Sequence, residues 1–326
     1  MKLRDLGEFP FLRRLQARVP RDARVQVGIG DDCAALALPG MTLLTTDTLV
    51  ENVHFRREWT TFSLLGEKTF AVNASDVAAM GGEPTFALLS LSVPQDTEVE
   101  DLDAFFDGFL RAAEESDTSL IGGNMSAAPC WMIAVTLLGH APYGTIPRAG
   151  ARIGDDVYVT GTLGDAALGL RVLREGRSGV HAEEAKARFL CPTSRLGVSR
   201  SLAAQHLASA MIDVSDGLLQ DLGHVCEASK VGAEIEGEQL PLSPSYRALC
   251  GEHDWTLALT GGEDYELLFT APVENRAAIA EVAHAAQSPV TRIGRIVSRS
   301  LGIAVWAADG SVYQPTQAGY DHFRTE

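Results

Sequence analysis

Aspartates set among apolar and small residues are the feature that most constrains how this chain can fold. They occur in "GIGDDCAAL", "LLTTDTLV", "NASDVAAM" and "IDVSDG", and none of these stretches is a charged surface run. A carboxylate next to a buried element is costly unless a positive group compensates it. Few lysines or arginines lie close enough in the sequence to pair with all of them. A hard divalent cation such as Mg²⁺ is the economical partner, because it prefers carboxylate and water oxygens and usually bridges to phosphates.

A single aspartate of this kind more often caps a helix or closes a turn, so only the set as a whole favours a metal site. Two Gly pairs accompany the set. In "LIGGNMSAAP" (120–129) the bare backbone of the Gly pair can approach a phosphate, and Asn124 can cap or lend a carbonyl oxygen to a metal, although a simple turn is the simpler interpretation. "TGGEDYELLF" (260–269) places a Gly pair and two acids before a predicted strand. His54 and Arg148 stand alone, and on the residues alone a structural role is the simpler interpretation.

Length and composition indicate two globular domains and exclude several classes of function. The chain has 326 residues, of which 46% are hydrophobic and 21% charged, as in ordinary globular proteins. Its net charge of −16, without any run of lysine and arginine, argues against binding to nucleic acid. The five cysteines are widely spaced and form no CxxC pair, which argues against a disulfide framework and a structural zinc site. The chain has no apolar signal segment and no long apolar run, so we expect a cytoplasmic protein without a membrane span.

Hydrophobic patterns predict helices and strands that alternate irregularly. In the first half, we expect helices over 1–20, 63–82 and 101–116 and strands within 41–55, 85–94 and 131–140. The strand in 41–55 is expected to end near Asp47. In the second half, a strand in "DVYVTGTLG" precedes predicted helices at roughly 165–175, 181–190 and 195–208. Residues 211–229 are expected to join the end of a strand to a helix that Ser215 and Asp216 cap.

The Pro/Gly-rich stretch 141–156 is the best candidate for a domain boundary. We therefore expect an N-terminal domain over 1–140 and a C-terminal domain over 141–326. Because strands and helices lack a regular βαβ rhythm, an α+β fold is favoured over a doubly wound parallel sheet. "NASDVAAMGG" and "DVSDGLLQDLG" both place Ser-Asp ahead of a short apolar stretch that ends in Gly, which weakly hints at two related halves.

Motifs of the common nucleotide-binding and hydrolytic sites are absent. The chain contains no GxxxxGK[ST], no GxGxxG after a strand, no kinase HRD and DFG set, no GxSxG and no HExxH. If the protein handles a nucleotide, metals and acidic residues must do the work that a P-loop lysine does elsewhere.

Taken together, the motifs resemble the thiamine-monophosphate kinase family. The resemblance spans Gly28 to Phe323 and rests on "GIGDDCAAL", "TTDTLVENVHF", "AVNASDVAAMGGEP", "LIGGN", "PRAGARIGDDVYVTGTLGDAALGL", "IDVSDGLLQDLGH", "TGGEDYELLF" and "GYDHF" in this order. The family belongs to the superfamily of aminoimidazole-ribonucleotide synthetase, selenophosphate synthetase and the hydrogenase-maturation dehydratase. The resemblance implies a two-domain α+β fold, with an N-terminal mixed sheet flanked by helices and a C-terminal α+β domain. It also implies a homodimer formed through the N-terminal domains, which would carry the ATP and magnesium sites.

The resemblance further implies an activity and a set of site residues. The reaction is transfer of the ATP γ-phosphoryl group to thiamine monophosphate, assisted by several Mg²⁺ ions, to give thiamine diphosphate. The implied magnesium ligands are Asp32, Thr45, Thr46, Asp47, Asp76, Asp213 and Asp216, with Asp32, Asp47, Asp76 and Asp213 expected to be catalytic. The implied ATP contacts are Gly123, Asn124, Arg148 and Ser215, and the implied thiamine monophosphate contacts are His54, Glu263 and Tyr320.

The chemistry of the substrates agrees with these residue types. Several cations can neutralise the charge that two phosphates bring together, and the cationic thiazolium of thiamine suits the carboxylate of Glu263 and the ring of Tyr320. One position departs from the pattern. Many family members read Gly-Gly-Asp-Thr-Thr where this chain has "GGNMS", so Asn124 offers a metal a neutral oxygen with one negative charge fewer.

Other members of the superfamily fit the sequence less well. Selenophosphate synthetase usually carries a reactive Cys ahead of the first Asp motif, whereas no Cys precedes Cys33 here, and the hydrogenase-maturation protein ends in a Cys-bearing tail that "DHFRTE" lacks. Aminoimidazole-ribonucleotide synthetase remains an alternative on fold alone. The motifs "TGGEDYEL" and "GYDHF" favour the thiamine kinase over it. A non-catalytic nucleotide or metal sensor is the alternative of a different class, and the nearly complete acidic set disfavours it.

Overall fold

The chain divides into two compact units. The computed structural model describes residues 2–6, 8–20, 22, 24–27, 35, 36, 38 and 40–315. The N-terminal unit comprises Met1–Val77 with Glu83–Pro142, and the C-terminal unit comprises Ala78–Gly82 with Tyr143–Glu326. The predicted site residues Asp32 and Tyr320 lie outside the described residues. No helix in the described part of the chain is long and apolar enough to cross a bilayer.

The N-terminal unit is built on a mixed four-stranded sheet with the strand order β3-β6-β4-β5. Its helices are α1 (Leu3–Leu6), α2 (Glu8–Gln16), α3 (Phe62–Ala79) and α4 (Val99–Glu115). Its strands are β1 (Val25–Val27), β2 (Ala35–Leu36), β3 (Thr42–Val50), β4 (Glu83–Val93), β5 (Ser119–Ala127) and β6 (Met132–His140). β6 pairs antiparallel with β3 and β4, β4 pairs parallel with β5, and β1 and β2 form a separate antiparallel pair. The mixed sheet with flanking helices agrees with the predicted α+β fold.

Helices α3 and α4 pack closely because each has a glycine at the contact. A Cβ added to Gly66 of α3 would lie 2.1 Å from the carbonyl oxygen of Phe105, and one added to Gly108 of α4 would lie 1.9 Å from that of Ser63. The apolar side of α4 is buried here, with Phe105 and Phe109 fully enclosed. The two helices therefore pack closely, and glycine is the residue that permits it.

The C-terminal unit contains a seven-stranded sheet with the strand order β13-β12-β9-β11-β7-β10-β8. Its strands are β7 (Asp156–Thr160), β8 (Ala210–Val214), β9 (Val231–Glu236), β10 (Glu266–Ala271), β11 (Val290–Ser298), β12 (Ile303–Trp306) and β13 (Val312–Tyr313). Its helices are α5 (Asp165–Glu175), α6 (Val180–Leu190), α7 (Leu196–Ala204), α8 (Leu218–Ser229), α9 (Pro244–Cys250), α10 (Thr256–Thr260) and α11 (Arg276–Ala285). Only β9 and β12 pair in parallel, so the sheet is not doubly wound.

Several local predictions were wrong. The strand in 41–55 does not end near Asp47 but continues to Val50, because β6 pairs with it over its whole length. Residues 120–129 do not form a turn. They lie mostly in β5, where Gly123 pairs with Leu89 of β4. Within the predicted N-terminal helix 1–20, the structure describes α1 and α2, and α2 ends at Gln16, before the expected residue 20. Helix α8 has Gly217 at its N-cap and no capping side chain there, so Ser215 and Asp216 do not cap it.

Candidate active site

Strand β3 divides the predicted magnesium ligands of the stretch "TTD" between its two faces. Thr45 and Asp47 are half-buried, whereas Thr46 and Thr48 are exposed, as the two-residue period of a strand requires. Thr46 donates its hydroxyl hydrogen to the carbonyl oxygen of Val135 on β6 at 2.8 Å. The structure therefore brings the side chains of Thr45 and Asp47 to one face and that of Thr46 to the other.

Helix α3 brings Asp76 to Thr45. The hydroxyl of Thr45 donates to Oδ2 of Asp76 at 2.5 Å. Along α3, Asp76 is the one residue between Lys68 and Ala79 that is not buried. A carboxylate at the single open position of an otherwise buried helix face can bind a ligand from outside, and we call Thr45, Asp47 and Asp76 the N-terminal cluster.

Asn73 fixes the position of Asp47. Its side-chain Oδ1 accepts the backbone N–H of Asp47 at 3.2 Å, and its Nδ2 donates to the carbonyl oxygen of Thr69 at 2.9 Å. The amide is almost completely buried, so both bonds satisfy polar groups that water does not reach. No motif of the sequence marks Asn73 as a site residue. The available signal was its position one turn before Asp76 on the same helix.

The turn after β3 fixes the orientation of the His54 ring and the tautomer of its neutral form. The ring Nδ1 of His54 accepts the backbone N–H of Val50 at 3.0 Å. An Nδ1 that accepts an N–H carries no proton, so the neutral ring bears its hydrogen on Nε2. Glu51 secures this turn, because its carboxylate accepts the backbone N–H of Trp131 at 2.9 Å and pairs with Arg57 at 2.6 Å. His54 therefore offers Nε2–H as a hydrogen-bond donor.

Gly123 and Asn124 lie at the opposite edge of the same sheet. Asn124 on β5 is exposed and pairs with Ser90 on β4. Ser90 in turn pairs with Ala134 on β6, which pairs with Thr48 on β3. Three strand spacings separate β5 from β3, or about 14 Å along the sheet. Gly123 is required by the sheet, since an added Cβ would lie 1.9 Å from the carbonyl oxygen of Leu89. Within one chain, the sheet does not bring these two residues to the N-terminal cluster.

In the C-terminal unit, two loops meet at the end of β8 and gather four predicted site residues. Asp213 is buried on β8, and Ser215 and Asp216 follow directly. The backbone N–H of Glu263 donates to the carbonyl oxygen of Ser215 at 2.8 Å. Glu263 has the unusual φ of +69°, which turns the 261–265 loop toward this contact. We call Asp213, Ser215, Asp216 and Glu263 the C-terminal cluster.

Two buried carboxylates shape these loops. Oδ2 of Asp221 accepts the backbone N–H groups of Ser215, Asp216 and Gly217. Burial raises the pKa of Asp221 to about 7, against the lowering effect of these donors. Asp264 accepts the backbone N–H groups of Gly164 and Ala166 at 2.6 and 3.1 Å, and burial raises its pKa to about 8.

Arg148 is anchored at the far end of β8 and α8. The carbonyl oxygen of Pro147 accepts the backbone N–H of Met211, and that of Arg148 accepts the hydroxyl of Ser229 at the end of α8. Ser215 follows Met211 by four residues. At the rise of a strand, about 3.3 Å per residue, this separates the two residues by about 13 Å. The backbone of Arg148 is thus remote from the C-terminal cluster, and its exposed side chain stays a predicted ATP contact.

The candidate metal ligands are oxygen donors only. In residues 2–315, apart from the positions that the structure does not describe, no three His, Cys, Asp or Glu side chains are grouped to hold a metal ion. The predicted ligands are divided between the two units, and Asp32 lies outside the described residues. Carboxylate and hydroxyl oxygens are the donors that Mg²⁺ accepts in proteins, so the donor types fit that ion.

Comparison with known proteins identifies the family. Residues 30–141 match the N-terminal domain and residues 152–307 the C-terminal domain of AIR synthase related proteins. A thiamine-monophosphate kinase of Escherichia coli O157:H7 is 39% identical over 328 aligned positions, which cover 98% of this chain and 99% of the relative. The chain belongs to the thiamine-monophosphate kinase family. The resemblance inferred from the motifs is thereby confirmed.

Solved structures of the thiamine-monophosphate kinase family share the fold. The enzyme from Stenotrophomonas maltophilia K279a superposes with a TM-score of 0.83 at 39% identity, over 94% of this chain and 98% of that one. AaThiL, solved in complex with AMPPCP and TMP, gives a TM-score of 0.76 at 37% identity, over 99% of both chains. The two-domain α+β fold expected from sequence is thus confirmed.

Proposed function

We propose that this protein transfers the γ-phosphoryl group of ATP to thiamine monophosphate and so forms thiamine diphosphate. The observation that carries the proposal is the likeness to AaThiL, complexed with an ATP analogue and TMP, over 99% of both chains at 37% identity. Relatives named thiamine-monophosphate kinase align over nearly the whole chain as well. ATP use and the free thiols among the described cysteines favour a location in the cytoplasm.

The two clusters supply the residues that would hold magnesium. In the N-terminal cluster these are the hydroxyl of Thr45 and the carboxylates of Asp47 and Asp76, and in the C-terminal cluster they are Asp213 and Asp216. When bound, Mg²⁺ neutralises phosphate charge and favours in-line attack on the γ-phosphorus. Asp32, Thr46 and Asn124 complete the proposed ligand set, with Asn124 contributing a neutral oxygen.

The remaining site residues bind and orient the two substrates. The Nε2–H of His54 is a suitable donor to a phosphate oxygen of thiamine monophosphate. The carboxylate of Glu263 and the ring of Tyr320 suit the thiazolium cation. Gly123, Arg148 and Ser215 are the proposed ATP contacts. The acceptor phosphate is ionised at neutral pH, so none of these residues needs to act as a strong general base.

We also propose that the protein is a homodimer, formed along the edges of the four-stranded sheet. The open face and rim of β3 and β6 carry exposed apolar side chains, including Met41 and Leu44, which are 63% and 68% exposed. β3 and β5 are both edge strands, and such edges are usually covered. A second copy whose β5 met β3 would bring its Asn124 to the strand that carries Asp47, which one chain does not achieve.

An end-point assay tests the proposed function. The protein is incubated with ATP, Mg²⁺ and thiamine monophosphate, and the products are separated by chromatography. We expect thiamine diphosphate and ADP in equal amounts, and neither with thiamine in place of its phosphate. ATP consumption without thiamine diphosphate would contradict the proposal.

Light scattering during gel filtration tests the homodimer, for which we expect twice the mass of one chain. The mass of a single chain would contradict it.

A further inference from the structure

One buried carboxylate holds the turn between β8 and α8. Asp221 lies in the first turn of α8 with 2% of its surface exposed. Its Oδ2 atom accepts hydrogen bonds from three successive backbone N–H groups, those of Ser215, Asp216 and Gly217, at 3.1, 3.1 and 3.2 Å. Successive N–H groups that converge on one point form the kind of concavity that binds anions in proteins. Here the chain supplies the anion itself.

The other side of the turn is fixed as well. Gly217 has a φ of +118°, and an added Cβ would lie 2.8 Å from the carbonyl carbon of Thr260. The carbonyl oxygen of Ser215 accepts the N–H of Glu263 at 2.8 Å. The peptide groups around Ser215 are therefore held on the N–H side by Asp221 and on the carbonyl side by the 261–265 loop.

These contacts determine where the two side chains of the turn point. Because both backbone groups of Ser215 are engaged, its Cα–Cβ bond leaves the backbone in a fixed direction. The carboxylate of Asp216 is restrained further, since Nε2 of Gln220 donates to its Oδ2 at 3.1 Å. Asp221 contributes only Oδ2 to the three backbone bonds, so one correctly placed acceptor oxygen is enough to hold the turn.

We propose that Asp221 is a positioning residue, whose Oδ2 holds the 215–217 backbone in the arrangement that lets Ser215 bind ATP and Asp216 bind magnesium. This inference rests on the proposed function of those two residues. It has a second consequence for ATP. The N–H groups of residues 215–217, which precede α8, are already taken by Asp221, so at these three residues the ATP phosphates are bound by side chains and cations and not by backbone N–H groups.

Three variants test the role of the acceptor oxygen. Asp221→Ala removes it, Asp221→Asn keeps one acceptor oxygen at the same distance from the backbone, and Glu227→Ala changes an exposed residue of the same helix as a control. For each, calorimetry measures the Kd of ATP in the presence of Mg²⁺, and hydrogen exchange measures the protection of the amides of residues 215–217.

We expect Asp221→Ala to raise the Kd of ATP at least about tenfold. That is the lower end of the loss in affinity usually seen when a metal ligand loses the residue that hydrogen-bonds to it. The amides of this variant at 215–217 should exchange faster, whereas Asp221→Asn and Glu227→Ala should stay close to the original protein in both measurements. An unchanged Kd in Asp221→Ala would overturn the proposal. A tenfold rise in the Kd of ATP in Asp221→Asn would also overturn it, and this second outcome remains decisive if Asp221→Ala does not fold.

The binding measurement separates this proposal from the proposed function. Calorimetry requires no turnover, so the Kd values for ATP still test Asp221 if the protein forms no thiamine diphosphate. Conversely, normal formation of thiamine diphosphate together with an unchanged Kd in Asp221→Ala would refute the positioning role and leave the kinase assignment intact.

Discussion

Thr45 on β3 donates its hydroxyl hydrogen to Oδ2 of Asp76 on α3, at 2.5 Å. The bond joins two predicted magnesium ligands from separate motifs of the sequence. Asp47 is bound to the same helix through Asn73. The edge of the sheet and one face of α3 therefore build the N-terminal cluster together.

The variant Asp76→Asn should abolish turnover and leave the fold intact. The amide keeps the shape of the side chain and an acceptor for Thr45 but removes the charge that a cation needs. We expect kcat to fall by more than about 100-fold, because losing a residue that merely hydrogen-bonds to a metal ligand can already lower activity by about 100-fold. Steady-state kinetics and circular dichroism check both parts. Glu67→Gln on the same helix serves as the control, and unchanged turnover in Asp76→Asn would exclude Asp76 from the site.

The variant Asn73→Ala should weaken the response to magnesium. It leaves the backbone N–H of Asp47 without its side-chain acceptor and so releases the strand that carries this ligand. We expect the Mg²⁺ concentration for half-maximal rate to rise about 10- to 100-fold and the free energy of unfolding to fall by about 1–3 kcal/mol. Thr69→Val is the matched control, because it removes a buried hydroxyl of the same helix that does not contact Asp47. A magnesium dependence shifted equally in both variants would argue against the role of Asn73.

The variant Glu263→Gln should raise the KM for thiamine monophosphate and leave the KM for ATP nearly unchanged. The substitution removes the negative charge that we assign to the thiazolium cation, while the backbone bond from residue 263 to Ser215 is retained. Tyr320→Ala should act in the same direction by removing the aromatic face. Initial rates with each substrate varied in turn distinguish the two constants. A loss confined to ATP would contradict these assignments.

The buried carboxyl of Asp264 should make the protein less stable as the pH rises. Its pKa in the folded protein is about 8, raised chiefly by burial, whereas an unfolded aspartate titrates near 3.9. Between these values the folded state binds more protons than the unfolded state, so the free energy of unfolding falls with increasing pH. This one group contributes a slope of at most about 1.4 kcal/mol per pH unit.

Urea unfolding of Asp264→Asn and the original protein at pH 5, 6.5 and 8 checks this prediction. The variant has no ionisable group at this position, so its stability relative to the original protein should increase with pH. A difference that stays constant would show that Asp264 is ionised throughout this range, and one that changes in the opposite direction would equally contradict a raised pKa.

The sequence predicted the types of the site residues better than their neighbours in space. Asp47 and Asp76 stand out because each is a lone charge in an apolar stretch. Asn73 and Asp221 were not singled out, and Asp264 was noted only as one of the two acids of "TGGEDYELLF", because a buried polar residue that bonds to backbone groups has no distinctive spacing. The partners of Asn73 and Asp264 are also remote in sequence: Asp264 and Gly164 are 100 residues apart.

The strand errors have a related physical cause. The pair Gly122 and Gly123 looks like a turn because glycine is a weak strand former, yet the parallel contact with β4 imposes an extended backbone. In the same way, pairing with β6 extends β3 beyond Asp47. Tertiary pairing overrides local preference in both places. It also puts Thr46 on the opposite face from Thr45, which the run "TTD" conceals.

Single-turnover transfer from ATP labelled with ³²P at the γ-phosphate tests the central claim most directly. With excess protein, Mg²⁺ and thiamine monophosphate, the label should pass from ATP to thiamine diphosphate at one rate, and none should appear in Asp76→Asn. Label trapped on the protein, or released as inorganic phosphate without labelled thiamine diphosphate, would contradict direct transfer between the two substrates.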